Sequence, residues 1–151
     1  MKTTQGSIEL FFSSAAYAVI GASADRKKFG NIVLRTMIEK EFSVHPVNPR
    51  ETVIEGKPCY PSIADIPEDV KSVVMVVPPM VTEQTIAQCR KKGISGIWMQ
   101  PGSESPRAIA DAEAAGMTVI SPECILMFLE PVESVHSLHR WFKKILGQYP
   151  K

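Results

Sequence analysis

Short apolar runs alternate with amphipathic stretches along most of the chain, and this alternation predicts strands and helices in turn. Strands are predicted at residues 17–21, 43–47, 73–77, 96–99 and 118–120. The run at 73–77 is apolar at every position, as expected for a central strand that is covered on both faces. The pattern therefore predicts a sheet whose strands are separated by helices.

Polar and turn-forming residues mark where the helices between these strands begin and end. One helix is predicted over 31–40, with most of its apolar side chains near one face. Thr82 is a natural N-cap for a second helix, which ends near residues 92–93. Ser105, followed directly by a proline, begins a third helix that ends at Gly116.

Two stretches fall outside this alternation. The proline-rich stretch 46–67 is irregular apart from a helical turn at 62–65, and residues 123–147 form a helical tail with aromatic and basic side chains. Strands that alternate with helices imply parallel pairing, with helices on both faces of one sheet. The sequence therefore predicts an α/β, Rossmann-like, doubly wound and mostly parallel sheet of about five strands. A single domain would span residues 1–151, with the helical tail from about residue 123.

Composition and charge narrow the class of protein. Lys and Arg number 17 against 16 Asp and Glu, so the formal net charge is +1 and gives no basic footprint for nucleic acid or a membrane surface. No apolar run is long enough to cross a bilayer, and residues 1–6 lack the features of a signal peptide. Cys59, Cys89 and Cys124 are widely spaced and form no zinc or CxxC pattern. These features predict a reduced, cytoplasmic protein without nucleic-acid or membrane partners.

The residues that follow the first predicted strand are suited to binding phosphate. A glycine permits a sharp turn, small neighbours let a diphosphate approach backbone N–H groups, and the N-terminus of the next helix favours negative charge. The loop does not have the GxGxxG pattern of dinucleotide-binding proteins, and a tight turn beside a solvated basic loop is the alternative interpretation. The candidate ligand-binding residues of this loop are Gly21, Ala22, Ser23, Arg26, Lys27, Lys28 and Gly30.

The end of the second predicted strand narrows the choice of nucleotide. An NAD site normally places an acidic residue there to bind the ribose hydroxyls. Here Asn48, Pro49 and Arg50 follow the strand, and the first acidic residue is Glu51. Asn48 can bind a ribose or an amide, and Arg50 can pair with a phosphate on the ribose. This chemistry suits coenzyme A or NADP and fits NAD poorly.

Five short segments occur in an order that resembles a known family. They are AVIGAS at 18–23, VHPVNP at 44–49, GKPCY at 56–60, VVP at 76–78 and IWMQPG at 97–102. Together they resemble the stand-alone CoA-binding proteins, a family related to the N-terminal CoA-binding domain of the succinyl-CoA synthetase alpha subunit. The resemblance runs from about residue 15 to residue 124 and implies a Rossmann-like fold that binds coenzyme A.

The resemblance also implies roles for particular residues. The loop at 21–28 would hold the CoA phosphates, and the corner at 46–49 would lie along the nucleotide. This sequence departs from the family in carrying two successive basic residues after Arg26. The other residues that the resemblance implies are Val76, Val77 and Pro78, as a wall against the adenine, and Gln100 and Cys124, towards the same edge of the sheet.

Several reactive side chains admit two interpretations each. Cys124 could form a mixed disulfide with the CoA thiol or sense redox state, and the alternative is a buried structural cysteine. His45 could be a general base or a packed loop histidine. His136 and His139 have a helical spacing that suits a metal, but no third ligand accompanies them, and a polar helix face is the alternative. No set of residues points to catalysis or to a bound metal.

Three hypotheses for function follow. The first is a module that binds CoA or acyl-CoA without catalytic machinery of its own and acts as a carrier, sensor or regulatory partner. The second is an enzyme that uses the same cleft, either an NADP-linked oxidoreductase or a catalyst that handles acyl-CoA and uses Cys124. The third is a scaffold whose C-terminal helix docks to a partner or to a second copy of the chain. Ligase activity is not implied, because the motifs for the synthetase's second domain, with its phosphorylated histidine, are not found here.

Overall fold

The computed structural model of the protein describes residues 3–129. None of the helices in this part of the chain is long and apolar enough to span a membrane. In chain order the elements are α1 (Gln5–Phe11), β1 (Ala16–Ile20), α2 (Phe29–Glu39), β2 (Val44–Val47), β3 (Val53–Ile54), β4 (Lys57–Pro58), a 3₁₀ turn (Ile63–Asp65), β5 (Val70–Met75), α3 (Pro79–Lys92), β6 (Gly96–Met99), α4 (Pro106–Ala114), β7 (Thr118–Ile120) and α5 (Leu126–Leu129).

A five-stranded parallel sheet lies at the centre of this region, in the order β2-β1-β5-β6-β7. The chain passes outward from β1 to β2, returns to β5 on the other side of β1, and continues outward through β6 and β7. The switch in strand order therefore falls between β1 and β5, and ligands of open α/β sheets bind at the carboxyl ends of such strands. The predicted Rossmann-like, mostly parallel α/β fold is confirmed.

Both faces of the sheet are covered by helices, as predicted. Successive side chains of a strand point to opposite faces, so each strand contributes to two apolar cores. One core joins Ala18 and Ile97 of the sheet to residues of α3 and α4. The other joins Tyr17 and Trp98 to residues of α1, α2 and α5. These four sheet residues are at most 1% exposed.

The sequence analysis missed an N-terminal helix, α1. Its polar start hides the element, because Thr4 caps the helix through a reciprocal pair of hydrogen bonds with Ser7. Only Ile8 and Phe11 face inward, which is too short a repeat to show a helical period. The Phe11 ring lies 5.3 Å from the ring of Trp98, so this short helix closes one face of the sheet.

Three boundaries around β5 differ from the prediction. The strand begins at Val70 rather than at residue 73, and it ends at Met75 rather than at residue 77. The prediction that Thr82 caps the next helix is wrong, because α3 begins at Pro79 with Pro78 in the N-cap position. Proline fits the first turn of a helix, where its missing N–H has no helical partner. Thr82 is consequently buried in the first turn of α3.

The irregular stretch 46–67 contains a small hairpin that the sequence analysis also missed. Strands β3 and β4 pair antiparallel across a turn at Glu55 and Gly56. The helical turn predicted at 62–65 is confirmed by the 3₁₀ turn. At the other end of the chain, α5 ends the described region, so most of the tail predicted over 123–147 lies outside it, including His136 and His139.

Candidate functional site

The loops after β1 and β5 meet at the switch in strand order, and Gly21 sets how closely they approach. Its φ angle is +89°, a conformation that residues with side chains rarely adopt. A Cβ atom at this position would lie 2.1 Å from the carbonyl oxygen of Val76 and 2.7 Å from Cγ1 of Val77. A side chain at position 21 would therefore force the two loops apart.

The second glycine of the loop, Gly30, brings the first turn of α2 against the same backbone. A Cβ atom there would lie 2.0 Å from the carbonyl oxygen of Gly21. The side chain of Lys28 at the N-cap makes no capping hydrogen bond to the helix. Because Gly30 packs on Gly21, the positive end of the α2 dipole lies beside the turn that follows β1.

Between these glycines, the loop is held by its own side chains. The Ser23 hydroxyl accepts a hydrogen bond from the Asp25 N–H at 3.1 Å, and the Asp25 carboxylate accepts one from the Lys27 N–H at 3.0 Å. Arg26, Lys27 and Lys28 are all exposed to solvent. The loop therefore combines an ordered backbone with three solvent-facing cations, an arrangement that attracts anions.

Two asparagines attach this loop to neighbouring elements. The Asn48 amide donates to the Ala22 carbonyl at 2.8 Å, and its oxygen accepts a hydrogen bond from the Arg50 N–H at 2.8 Å. The buried Asn31 amide donates to the Ser23 carbonyl at 2.8 Å. Sequence reasoning proposed Asn48 as a ribose ligand, and in the structure its side chain joins the end of β2 to the loop after β1. A ribose contact by Asn48 stays a prediction.

A cleft of about 420 Å³ opens at this carboxyl edge, between the end of β2 and helix α3. Of the predicted site residues, Gly21, Asn48, Pro49, Arg50 and Val77 line it. The sequence analysis missed the wall that α3 supplies, where Val81, Thr85 and Gln88 recur at the spacing of one helix face, and it missed residues 61–63 opposite. The remaining lining residues are Ile20 and Val47, at the ends of β1 and β2.

The three residues predicted as an adenine wall are divided between two environments. Val77 faces the cleft and packs with the core under α3. Val76 packs with the core on the opposite face of the sheet, and Pro78 is exposed at the start of α3. Ser103, which the sequence analysis did not single out, accepts a hydrogen bond from the Val77 N–H at 3.1 Å and fixes the backbone of this wall.

Gln100 and Cys124 lie together after β6 and β7, outside the residues that line the cleft. The Gln100 amide donates to the Cys124 sulfur at 3.6 Å, and its oxygen accepts a hydrogen bond from the Ile125 N–H at 2.7 Å. Gln100 is 2% exposed, whereas Cys124 is half-buried. The buried glutamine thus holds the backbone beside the cysteine. A mixed disulfide or redox role for Cys124 stays a prediction.

Two titratable groups outside the loop, His45 and Cys89, are packed against neighbouring residues, and burial shifts their pKa values. His45 is half-buried with its ring 5.8 Å from that of Tyr60, and burial, together with the charge of Lys57, lowers the pKa of its imidazole. Burial raises the pKa of the Cys89 thiol to about 12. His45 is not among the residues that line the cleft. Over residues 3–129, histidine, cysteine and acidic side chains form no cluster of three or more that could hold a metal ion.

Comparison with known proteins identifies the family of this chain and, through it, the ligand. Residues 15–130, most of the chain, match the CoA binding domain family. The chain belongs to that family. The resemblance inferred from five short motifs is confirmed, and coenzyme A is the cofactor of this CoA-binding domain.

Similar proteins fall into two groups by length. The alpha subunit of ADP-forming acetate–CoA ligase II from Pyrococcus furiosus is 34% identical over 129 residues, which cover 78% of this chain and 28% of the ligase subunit. A conserved hypothetical protein from Pyrococcus furiosus has a structure with a TM-score of 0.71 and 40% identity, matching 74% of this chain and 96% of its own. The structure of a hypothetical protein from Pyrococcus horikoshii has a TM-score of 0.77 and 28% identity, and the match covers 96% of this chain and 94% of that protein.

Proposed function

We propose that this CoA-binding domain binds CoA or acyl-CoA as a carrier, sensor or regulatory module, without catalytic machinery of its own. The observation that carries the proposal is the junction at the switch in strand order, where Gly21 and Gly30 pack backbone against backbone beside three exposed cations. A diphosphate needs such an approach to main-chain N–H groups and a positive field. We therefore assign the diphosphate of CoA to the loop between these glycines.

The adenosine part of CoA would occupy the cleft between β2 and α3. The walls are largely apolar, with Ile20, Val47 and Val77 on the sheet side, and a purine ring buries its faces well against such side chains. Arg50 lies at the rim, where a guanidinium can pair with the phosphate on the ribose. This placement supports CoA over NAD, which has no such phosphate.

A role in binding alone is supported by two polar side chains at this edge of the sheet, which form hydrogen bonds to the protein backbone. The side-chain amides of Asn48 and Gln100 both bond to the backbone of neighbouring segments, so each shapes the edge of the sheet. The match with the ligase subunit covers 28% of that protein, so we do not extend the ligase reaction to this chain. A carrier or sensor needs affinity and release, which the cleft and the exposed loop can supply.

Calorimetric titration with CoA, acetyl-CoA, NADP and NAD under reducing conditions tests this function. The ligand content of the purified protein is measured first by mass spectrometry, so that carried-over ligand does not mask binding. We expect CoA and acetyl-CoA to bind and NAD to give no heat above dilution. Absence of CoA binding, or tighter binding of NADP, would contradict the proposal. Hydrolysis or acyl transfer by the purified protein would contradict a role in binding alone.

A further inference from the structure

The tip of the β3–β4 hairpin places one carboxylate against the basic loop. Oε1 of Glu55 lies 3.4 Å from Nη2 of Arg26, and Oε2 accepts a hydrogen bond from the Asn31 amide at 3.4 Å. The Glu55 side chain is 22% exposed, whereas that of Arg26 is 64% exposed. The loop assigned above to the diphosphate therefore already has an anion beside it.

The backbone on both sides of Glu55 keeps this carboxylate in place. Ile54 is 1% exposed and packs into the core under α2, while Glu55 and Gly56 take φ angles of +49° and +75° in the turn. After β4, the Tyr60 N–H donates to the Pro46 carbonyl at 3.0 Å and so anchors the hairpin to β2. The backbone that carries this carboxylate is consequently anchored beside the loop.

The acidic residue of the loop itself, Asp25, makes a different kind of contact from that of Glu55. The Asp25 carboxylate accepts a hydrogen bond from the Lys27 N–H at 3.0 Å, so it shapes the loop backbone. Glu55 reaches the loop from a separate element and contacts side-chain donors. An arginine fork and an amide N–H bind a phosphate oxygen in the same way as they bind a carboxylate oxygen. Glu55 thus occupies donors that suit the ligand.

We infer that Glu55 is an internal competitor of the ligand, a carboxylate that the CoA diphosphate must displace from Arg26. The inference rests on the proposed function of the loop. Asn31 is buried and keeps its bond to the Ser23 carbonyl, so Arg26 is the partner that exchanges. The competition holds the affinity for CoA below the value that the cations alone would produce, which suits a module that must release its ligand.

The substitution Glu55→Gln tests this competition. Glutamine keeps the length and the acceptor oxygen and removes the charge, so the hairpin should fold unchanged. We expect CoA to bind about three- to tenfold tighter to the variant, because one negative charge near the diphosphate is gone. Dephospho-CoA should show the same gain, since it shares the diphosphate. A gain with CoA that is absent with dephospho-CoA would overturn the assignment.

Two controls separate competition for Arg26 from a general change of charge. Glu39→Gln makes the same charge change at the far end of α2 and should leave the affinity for CoA unchanged. Arg26→Ala should weaken binding, and in Arg26→Ala/Glu55→Gln the gain from the glutamine should fall to less than about half of its single-variant value on a logarithmic scale. Equal gains with and without Arg26 would contradict the inference.

The wild-type titration separates failure of the inference from failure of the proposed function. If wild-type protein binds CoA and Glu55→Gln binds it equally or more weakly, Glu55 is not a competitor and the proposed function stands. If neither CoA nor dephospho-CoA binds to the wild-type protein, the proposed function fails and the inference fails with it. If Glu55→Gln binds CoA more tightly than the wild-type protein, and Glu39→Gln does not, the inference is supported.

Discussion

At the scale of single residues, the site depends on backbone atoms that lie closer together than any side chain would permit. Gly21 and Gly30 have no side chain, and each lets one segment lie on the carbonyl of another. The remaining polar side chains of the loop, Ser23 and Asp25, bond to the loop's own backbone. The shape of this turn is therefore set by packing and local hydrogen bonds, and the cations around it supply the charge.

Replacing Gly21 by alanine tests the contact between the two loops. We expect Gly21→Ala to lower the free energy of unfolding by about 3 kcal/mol or more, because it adds a clash with the Val76 carbonyl to an unfavourable φ angle. Gly116→Ala is the matched control, since Gly116 has a φ angle of +80° and open space around its Cβ position. The control should lose ~1–2 kcal/mol, from backbone strain alone. Equal losses in urea unfolding of the two variants would show that the loop contact contributes nothing.

At the scale of elements, the end of β2 and the loop after β1 act as one unit. Asn48 bonds the two together, and Tyr60, after β4, extends the same edge by pairing with β2. The hairpin, the corner at residues 48–50 and the loop are thus connected through backbone and amide groups. A change in one of them is expected to alter the shape of the cleft.

Removal of the Asn48 amide tests this connection. Asn48→Ala leaves the buried Ala22 carbonyl and the Arg50 N–H without this partner, so we expect a loss of about 1–3 kcal/mol in unfolding free energy. The affinity for CoA should fall several-fold in the same variant.

Asn48→Asp should weaken CoA binding further, because it keeps the acceptor for Arg50 and sets a negative charge against the Ala22 carbonyl. Ser13→Ala, which removes only an exposed hydroxyl bonded to the Leu10 carbonyl and lies outside the lining of the cleft, should change neither quantity. Unaltered affinity in Asn48→Ala would contradict the role of this corner in shaping the cleft.

At the scale of the whole molecule, both faces of the sheet are covered by helices, and ionisable groups are buried among the apolar ones. Cys89 of α3 is fully buried against the sheet, and burial raises the pKa of its thiol to about 12 from an ordinary value of 9.0. Burial also raises the pKa of the Tyr17 hydroxyl, which donates to the Phe11 carbonyl at 3.0 Å. Both groups are neutral in the folded protein over a wide range of pH.

These groups predict a loss of stability in alkaline solution. Above pH 9 the Cys89 thiol ionises in the unfolded chain and stays protonated in the folded protein, so unfolding is favoured as the pH rises towards about 12. We expect the free energy of unfolding to fall by up to about 1.4 kcal/mol per pH unit from this thiol, with a further contribution from Tyr17 above its ordinary pKa. Urea unfolding across this pH range measures the slope. Cys89→Ala should be less stable at neutral pH and show a shallower slope, and an unchanged slope would exclude the thiol as a cause.

Much of the architecture follows from local pattern. The boundaries of β6 and β7 match the prediction to the residue, and α3 ends at Lys92, within the predicted 92–93, because apolar continuity, glycine and proline act within a few positions of the elements they define. The strand ends then indicate the loops where a ligand is expected, since ligands of parallel sheets bind there. The amino-acid sequence by itself therefore determined the fold class and, through its ordered motifs, the CoA-binding family, and it predicts which loop binds phosphate.

Only the tertiary structure decided how the side chains around that loop are used. Asn48 bonds to Ala22 across 26 positions of sequence, and Glu55 reaches Arg26 from a hairpin two residues long in each strand. The α3 wall of the cleft depends on which face of a helix packs towards β1 and β2. Such contacts join segments that are distant in the chain, and their geometry arises from the packing of whole elements, so no local pattern of hydrophobic and polar residues contains it.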